Sequence, residues 1–412
     1  MIKKILLSSF LFLSLQSFAQ ESTASPYSFY GVGEIKFKGT IENKAMGGIG
    51  ILLDSIRINL QNPATYSHLK RTAFALAGTY SNTTLKNSTD KEETKRTTLD
   101  YIAVAFPSGK LGLSAGLMPY SSVGYKIQNA NTTDAKIYKG SGGLSRAYIG
   151  AAYQITPKLS FGVDLGYNFG TIETNAILLN TNTQYGTREL NTSDLNGVNI
   201  NTGLIYQTKL QKLDVVSSLM FTPSTALNVN NTRNTALITY GNAGEETVYG
   251  NPNVFSSNND IKLPSKVAFG AGLGKIKKWF VGFESSFIQS KNSGNLYTLN
   301  SNATFEDATK IAVGGYYIPN YNSYSNLFKK ITYRAGFRYE NTGLIVNSKA
   351  INDAALTLGF GIPVGGNFSS LNLGVELGKK GTTDFNLIQE NYINLSIGFS
   401  FSDRWFVKRK FD

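Results

Sequence analysis

The sequence predicts an all-β fold, a transmembrane antiparallel β-barrel of about 14 strands with an N-terminal hatch (plug) segment inside the lumen. Three observations lead there. Apolar side chains recur at every second position in segment after segment, as they do where one face of a sheet meets lipid. The positions between them hold mostly Gly, Ser and Asn, whereas the wet face of a soluble sandwich is richer in Lys, Glu and Thr. Beyond residue 20 no run approaches the roughly 18 apolar residues of a membrane helix, so a chain meeting a bilayer must cross it with strands.

The elements follow in order. Met1-Ile2-Lys3-Lys4 is a charged start, Ile5 to Leu15 an apolar run, and Ser17-Phe18-Ala19 a small-residue cleavage site, so residues 1–19 are expected to be a secretory signal peptide. Residues 20–70 are Gly-punctuated and barely alternate. They contain Pro26-Tyr27-Ser28-Phe29-Tyr30-Gly31-Val32-Gly33, then Met46-Gly47-Gly48-Ile49-Gly50, then Asn62-Pro63-Ala64. Ile49, Ile51, Leu52, Leu53, Ile56, Ile58 and Leu60 make this stretch too apolar for a disordered tail, and a plug inside the lumen fits it better.

The barrel is expected over 71–405. Its clearest strand alternates Ile393, Leu395, Ile397, Phe399 and Phe401 with Asn394, Ser396, Gly398, Ser400 and Ser402. The segments are 71–86, 97–107, 110–127, 142–156, 158–178, 195–209, 211–229, 260–275, 278–290, 307–318, 329–342, 351–363, 367–379 and 389–405. Short connections at Pro107-Ser108-Gly109, Thr156-Pro157 and Ile276-Lys277-Lys278 contrast with Asn- and Thr-rich stretches at 87–96, 179–194, 230–259 and 291–306, expected to be long loops. Residues 406–412 form a short basic tail with Lys408, Arg409 and Lys410.

Composition removes several function classes. The 412 residues include no Cys and one His, which excludes a disulfide framework, a lipoprotein anchor, a thiolate nucleophile and the His pairs or triples of most catalytic metal sites. The formal charge of +13 is dispersed and not gathered on one helix or face as nucleic-acid binding requires. No cofactor is expected and no metal site. Ser/His/Asp catalysis would depend on His68, which reads instead as a linker just before the first strand, so the protein is not expected to be an enzyme.

The Gly-rich N-terminal segment ending in Asn62-Pro63-Ala64 before the first strand resembles the hatch of the FadL/TodX outer-membrane transporters. Pro119-Tyr120-Ser121-Ser122-Val123-Gly124-Tyr125 is similar to that family's Pro-Phe-Gly segment, and Leu263-Pro264 before a Gly-rich strand and Trp279 to its Leu-Pro strand opening. The tail Asp403-Arg404-Trp405-Phe406 also resembles the PorV branch of FadL-like barrels, which serve protein secretion in Bacteroidetes-type bacteria. The likeness implies a bacterial outer-membrane barrel taking up a hydrophobic small molecule, a long-chain fatty acid or similar, past the hatch and out sideways through the wall. The alternatives are a non-transporting barrel in a secretion or surface complex and a general porin.

Proline has no N–H for the ladder, so Pro119 inside the third strand is expected to kink it and leave part of the wall unpaired, with Tyr120, Gly124 and Tyr125 beside the opening; the other reading is a strand rim at a turn. By alternation Arg146, Asp164, Glu284, Arg334, Arg338 and Glu376 point into the lumen, either as a network pinning the plug or as a row that holds a ligand head group. Arg334 and Arg338, on one face of one strand, are the sharper candidates for a carboxylate. Expected partners are outer-membrane lipid and lipopolysaccharide, the hydrophobic ligand, and a protein at the long loops; no nucleic acid is expected.

Overall fold

The computed structural model describes residues 22–130, 133–241, 245–291, 294, 303–323, 326–364 and 369–403. The predicted leader (1–19) and tail (406–412) lie outside them. The strands in chain order are β1 (Glu34–Ile35), β2 (Thr72–Lys86), β3 (Lys91–Ser108), β4 (Leu111–Ala130), β5 (Asp134–Gln154), β6 (Leu159–Asn180), β7 (Gly186–Leu210), β8 (Leu213–Thr222), β9 (Thr225–Tyr240), β10 (Glu246–Leu263), β11 (Ser265–Lys275), β12 (Trp279–Gln289), β13 (Ala303–Phe305), β14 (Ala308–Tyr317), β15 (Thr332–Val346), β16 (Lys349–Val364), β17 (Ser369–Lys380) and β18 (Gln389–Asp403).

Fourteen strands make the wall, as the alternation predicts. β1 and β13 stand off it, each pairing with one wall strand. β8 and β9 are two halves of one strand broken at Pro223, and both pair with β7; β10 and β11 are two halves of the next, broken at Pro264. Every pairing is antiparallel, and β18 returns to β2 from Gln389↔Lys86 to Asp403↔Thr72, which closes the sheet. Among the described residues no helix is long and apolar enough to cross a membrane.

Closure explains the surface. Leu356 and Leu358 of β16 are 50% and 44% exposed, while Ala355 and Thr357, which alternate with them, are buried. Phe161, Leu165, Tyr167 and Phe169 of β6, and Ile393, Leu395, Ile397 and Phe399 of β18, repeat the pattern. A continuous apolar belt on the outside of a closed sheet is what a bilayer covers, and the protein is a bacterial outer-membrane barrel.

The strands run further than predicted at the end away from the wall's two termini. β3 begins at Lys91, β7 at Gly186 and β10 at Glu246, and β9 continues to Tyr240. Three of the four expected long loops, 87–96, 179–194 and 230–259, are therefore mostly strand, with turns left at 87–90 and 181–185. Outside the bilayer both faces of a strand are wet, so the ladder continues after the alternation has stopped; β10 is exposed on both faces from Glu246 to Phe255. The fourth stretch, 291–306, lies partly outside the described residues and contributes β13.

Residues 22–70 are folded against the inner face of the wall. Short helical turns at Pro26–Phe29, Ile41–Lys44 and Pro63–His68 are joined by irregular chain, and Met46, Ile49, Ile51, Leu60 and Tyr66 are almost wholly buried. Ile41, Leu60 and Tyr66 pack on Ala73, Ala75, Tyr101, Ala103 and Tyr148 of the wall; Met46, Ile49 and Ile51 on Ile205, Val216, Phe280 and Ala312. The small inward residues let backbone approach backbone: a Cβ on Gly336 would lie 2.2 Å from the Gly47 nitrogen. Asn62 starts the last turn. Its Oδ1 accepts from Ala64 N (3.0 Å) and its Nδ2 donates to the Leu204 carbonyl of β7 (3.3 Å).

Replacing Asn62 by Ala removes a helix cap and a wall contact at a fully buried position. The expected loss is about 1–2 kcal/mol of stability, measured as a lower urea midpoint for loss of the heat-modifiable folded band.

Candidate functional site

The widest gap in the described wall lies between β3 and β4. β3 and β4 pair only from Ile102↔Leu117 to Ser108↔Leu111; beyond that, residues 91–101 stay with β2 and residues 118–130 with β5. Two bulges stand where the strands part. The β2–β3 register shifts between Ala77 and Gly78, leaving Asp100 extra, and the β4–β5 register shifts between Pro119 and Ser121, leaving Tyr120 extra. A bulge bends and twists its strand, and Pro119 cannot donate to a ladder, so the two strands diverge toward the outer edge of the apolar belt.

The N-terminal segment covers part of this edge. Glu34 and Ile35 of β1 pair with Ser122 and Ser121 of β4, and the Lys36 N–H donates to the Tyr120 carbonyl at 2.9 Å. Gly33 makes the approach possible: its φ is +92°, and a Cβ there would lie 2.5 Å from the Ser122 oxygen. Ile35 is left 55% exposed in the gap. Of the residues expected beside the opening, Pro119 and Tyr120 form its rim, whereas Gly124 and Tyr125 anchor the N-terminal segment. The Gly124 N–H donates to Ser28 Oγ (3.2 Å), and Tyr125 meets the Phe29 ring edge-on at 5.2 Å.

Behind the gap lies a cavity of about 540 Å³ between the N-terminal segment and the wall, and Ile35, Pro119 and Tyr120 belong to its lining. Phe37, Met118, Met220, Ile261 and Leu263 give it apolar surface, and Lys38, Lys266 and Lys310 bring positive charge. A second, narrower irregularity faces it. β7 leaves residues 197–201 unpaired between its ladders with β9 and β8, opposite Pro223, and Asn201 bridges the break by donating to the Gln61 carbonyl (3.3 Å) and accepting from Thr222 Oγ1 (2.9 Å).

The six predicted lumen charges all face inward, and the structure separates them into local sets. Arg338 is 2.9 Å from Glu376 and 3.0 Å from Asp353, and donates to Tyr392 Oη (2.7 Å), which in turn donates to Asp353 (2.6 Å). Arg334 donates instead to Asn372 (3.2 Å), whose amide and Ser400 both serve Glu42 of the N-terminal segment. The two arginines therefore do not form one carboxylate clamp; their guanidinium groups already serve different protein partners. Asp164 pairs with Lys38 (3.1 Å), Glu284 accepts from the Gly50 N–H (2.6 Å), and Arg146 donates to Asn168 (2.8 Å) with its guanidinium 4.3 Å over the Tyr120 ring. Only Arg146, Arg338 and Glu376 of the six line the cavity.

Lys44–Glu376 (3.6 Å) and Glu34–Lys380 (3.2 Å) tie the N-terminal segment to β17. His68 sits at the wall entry with Nε2 3.0 Å from Ser160 Oγ, and burial holds its imidazole below the usual range, so the ring is neutral at pH 7. Sequence reasoning missed Pro223, for which a proline between two alternating runs was a usable signal. It also missed Lys38, Lys266 and Lys310, for which no signal existed, because nothing in a chain announces which lysines a cavity will bring together.

The family model for BamG matches residues 1–412. The chain belongs to the BamG family. No curated protein matches it in sequence. Among solved structures, this BamG-family barrel resembles the toluene transporter TbuX of Ralstonia pickettii, with a TM-score of 0.61 at 15% identity over 89% of this chain and 99% of the other. It also resembles the toluene transporter TodX of Pseudomonas putida, with a TM-score of 0.60 at 16% identity over 91% and 100% of the two chains. At such identities the likeness is one of fold.

Replacing Arg338 by Met strands Glu376 and Asp353 without their shared cation. The expected destabilisation is about 3–5 kcal/mol by urea titration of the folded band, and Arg338→Lys is expected to recover only part of it, since a lysine cannot serve three acceptors in a planar fork.

Proposed function

We propose that this BamG-family barrel carries small hydrophobic molecules across the outer membrane. The ligand occupies the cavity, and the divergence of β3 from β4 is its exit into the bilayer. One observation carries the reading: the wall loses its ladder where the cavity meets the apolar belt, and a strand only two residues long is all that pairs there. Exposed backbone at membrane depth is tolerated only beside protein or a wet cavity, and here β1 and the cavity supply both. The fold shared with toluene transporters supports the same reading.

The lining suits an amphipathic ligand such as a long-chain fatty acid, its chain along Phe37, Met118, Met220 and Leu263 and its carboxylate toward Lys38, Lys266 and Lys310. The N-terminal segment acts as the hatch, and the charge sets around Arg338, Glu376, Asp164 and Glu284 hold it against the wall. Transport of this kind needs no catalysis.

A second reading, a non-transporting barrel in a secretion or surface complex, draws on the far ends of β7, β9 and β10, which continue beyond the apolar belt and carry Leu237, Tyr249, Val254 and Phe255 exposed. It predicts a protein partner recovered in stoichiometric amount from solubilised membranes.

The chain has no native Cys, so Ile35→Cys with Ser121→Cys places a disulfide between register partners in the gap. Uptake of a fluorescent fatty acid by cells expressing the oxidised double variant is expected to fall at least tenfold and to recover with reductant. Unchanged uptake in a verified cross-linked protein excludes the gap as the exit; absence of any uptake by the parent protein, with a stoichiometric partner bound, favours the second reading.

A further inference from the structure

The inner rim of the barrel, at the end carrying the wall's two termini, has a charge pattern that neither the cavity nor the gap uses. Short turns face the periplasm in barrels of this kind, which places this rim at the inner leaflet. Three consecutive inner turns hold Lys209 and Lys212, then Lys275, Lys277 and Lys278, then Lys329 and Lys330. Asp214 is the single acid among their described residues, and it accepts from the Ile276 N–H (3.4 Å), joining the first turn to the second. The Ile318 N–H donates to the Lys278 carbonyl (2.7 Å), and Lys277 Nζ stands 4.9 Å over the Tyr321 ring, joining the second to the third. Elsewhere on the described inner rim Lys110 and Lys158 stand singly and Lys70 and Arg71 precede β2, away from the three turns, while the outer rim mixes signs, as at Lys91-Glu92-Glu93.

The lysines stand directly below lipid-facing surface. Lys275 ends the outward row of β11 that includes Val267, Phe269 and Leu273. Trp279, Tyr317 and Tyr333 are register partners on the outward rows of β12, β14 and β15, an aromatic band at the depth where the bilayer meets water. Tyr333 Oη donates to the Phe328 carbonyl (3.1 Å), which keeps the turn Leu327–Lys330 on the lipid side with Leu327 52% and Phe328 72% exposed.

We propose that this sector binds anionic phospholipid headgroups of the inner leaflet, with phosphates on Lys275, Lys278 and Lys329 and acyl chains along Leu273, Phe269 and the aromatic band. An acidic protein surface would satisfy the lysines too, but it would leave Phe328 and the aromatic band, which adjoin them, without a purpose. The inference stands independently of the transport reading, since it uses no residue of the gap or cavity.

The test is native mass spectrometry of the detergent-purified full chain titrated with phosphatidylglycerol or phosphatidylethanolamine. The parent is expected to retain phosphatidylglycerol preferentially, with a preference that fades as salt rises. Lys275→Gln with Lys278→Gln and Lys329→Gln is expected to weaken that retention by about tenfold or more. Lys110→Gln with Lys158→Gln is the control and leaves it unchanged. No preference for the anionic lipid in the parent overturns the proposal, as does undiminished retention by a triple variant whose heat-modifiable band shows it folded. Loss of a stoichiometric protein from the triple variant, with lipid retention unchanged, overturns it in favour of a protein dock.

Discussion

Every backbone N–H and C=O of the wall must find a partner inside the protein, because hydrocarbon offers none. The other features of this chain answer to that constraint. It forces the sheet to close at β18 and β2, and it fixes which side chains meet lipid, since alternation along a closed ladder leaves no second choice of face. It also gives meaning to the places where the ladder stops. A break at a water-exposed turn costs nothing, whereas the parting of β3 from β4 removes partners at the edge of the belt and calls for something to stand in.

What stands in is the chain's own N-terminal segment, and two properties of the inner face let it. Inward positions are small enough that backbone touches backbone, as Gly336 against Gly47 shows. They also carry buried charges, each of which needs a partner. Burying an isolated ion is expensive, and pairing it with another only roughly offsets the loss of water, so the Arg338 set is weak support for stability in itself. It fixes position more than it adds stability. Removing the N-terminal segment would leave Glu284 without Gly50 and Asp164 without Lys38, so the wall penalises placements of residues 22–70 that break these contacts.

The barrel was legible in the sequence because period two is written residue by residue: Leu356, Leu358 and Phe360 name their face without help from any neighbour. The strand ends were not, because Asn253, Val254, Phe255 and Ser256 of β10 are exposed on both faces, so their ladder with β9 runs on with no period to announce it. Pro119 was readable as a defect, since a missing N–H is a local property. The extra residue at Asp100 was not, because a bulge in β3 is defined by its register against β2. The inward direction of Arg334 and Arg338 was likewise readable, but not their partners: Asn372 and Glu42 reach Arg334 only through the closure of the barrel around the N-terminal segment.

The two breaks in the wall differ in what fills them. Opposite Pro223 the missing pairs are replaced by side chains, with Asn201 accepting from Thr222 and donating to the Gln61 carbonyl, so the strands remain side by side. Between β3 and β4 a backbone segment stands in the gap: Glu34 and Ile35 form a ladder with the β4 edge, while the β3 edge meets the same segment through the side chains of Arg96, on the Thr23 carbonyl, and Tyr101, on the Ile41 N–H. A side-chain bridge is covalently part of the strands it joins and cannot leave without the strands moving. A two-residue ladder belongs to a segment with its own connections on either side, held by a few hydrogen bonds of about 1 kcal/mol each in net terms, and can withdraw while β3 and β4 stay where they are. Local opening of that kind asks far less of the structure than bending a closed sheet, so on the proposed passage the N-terminal segment, and not the wall, is the part expected to move.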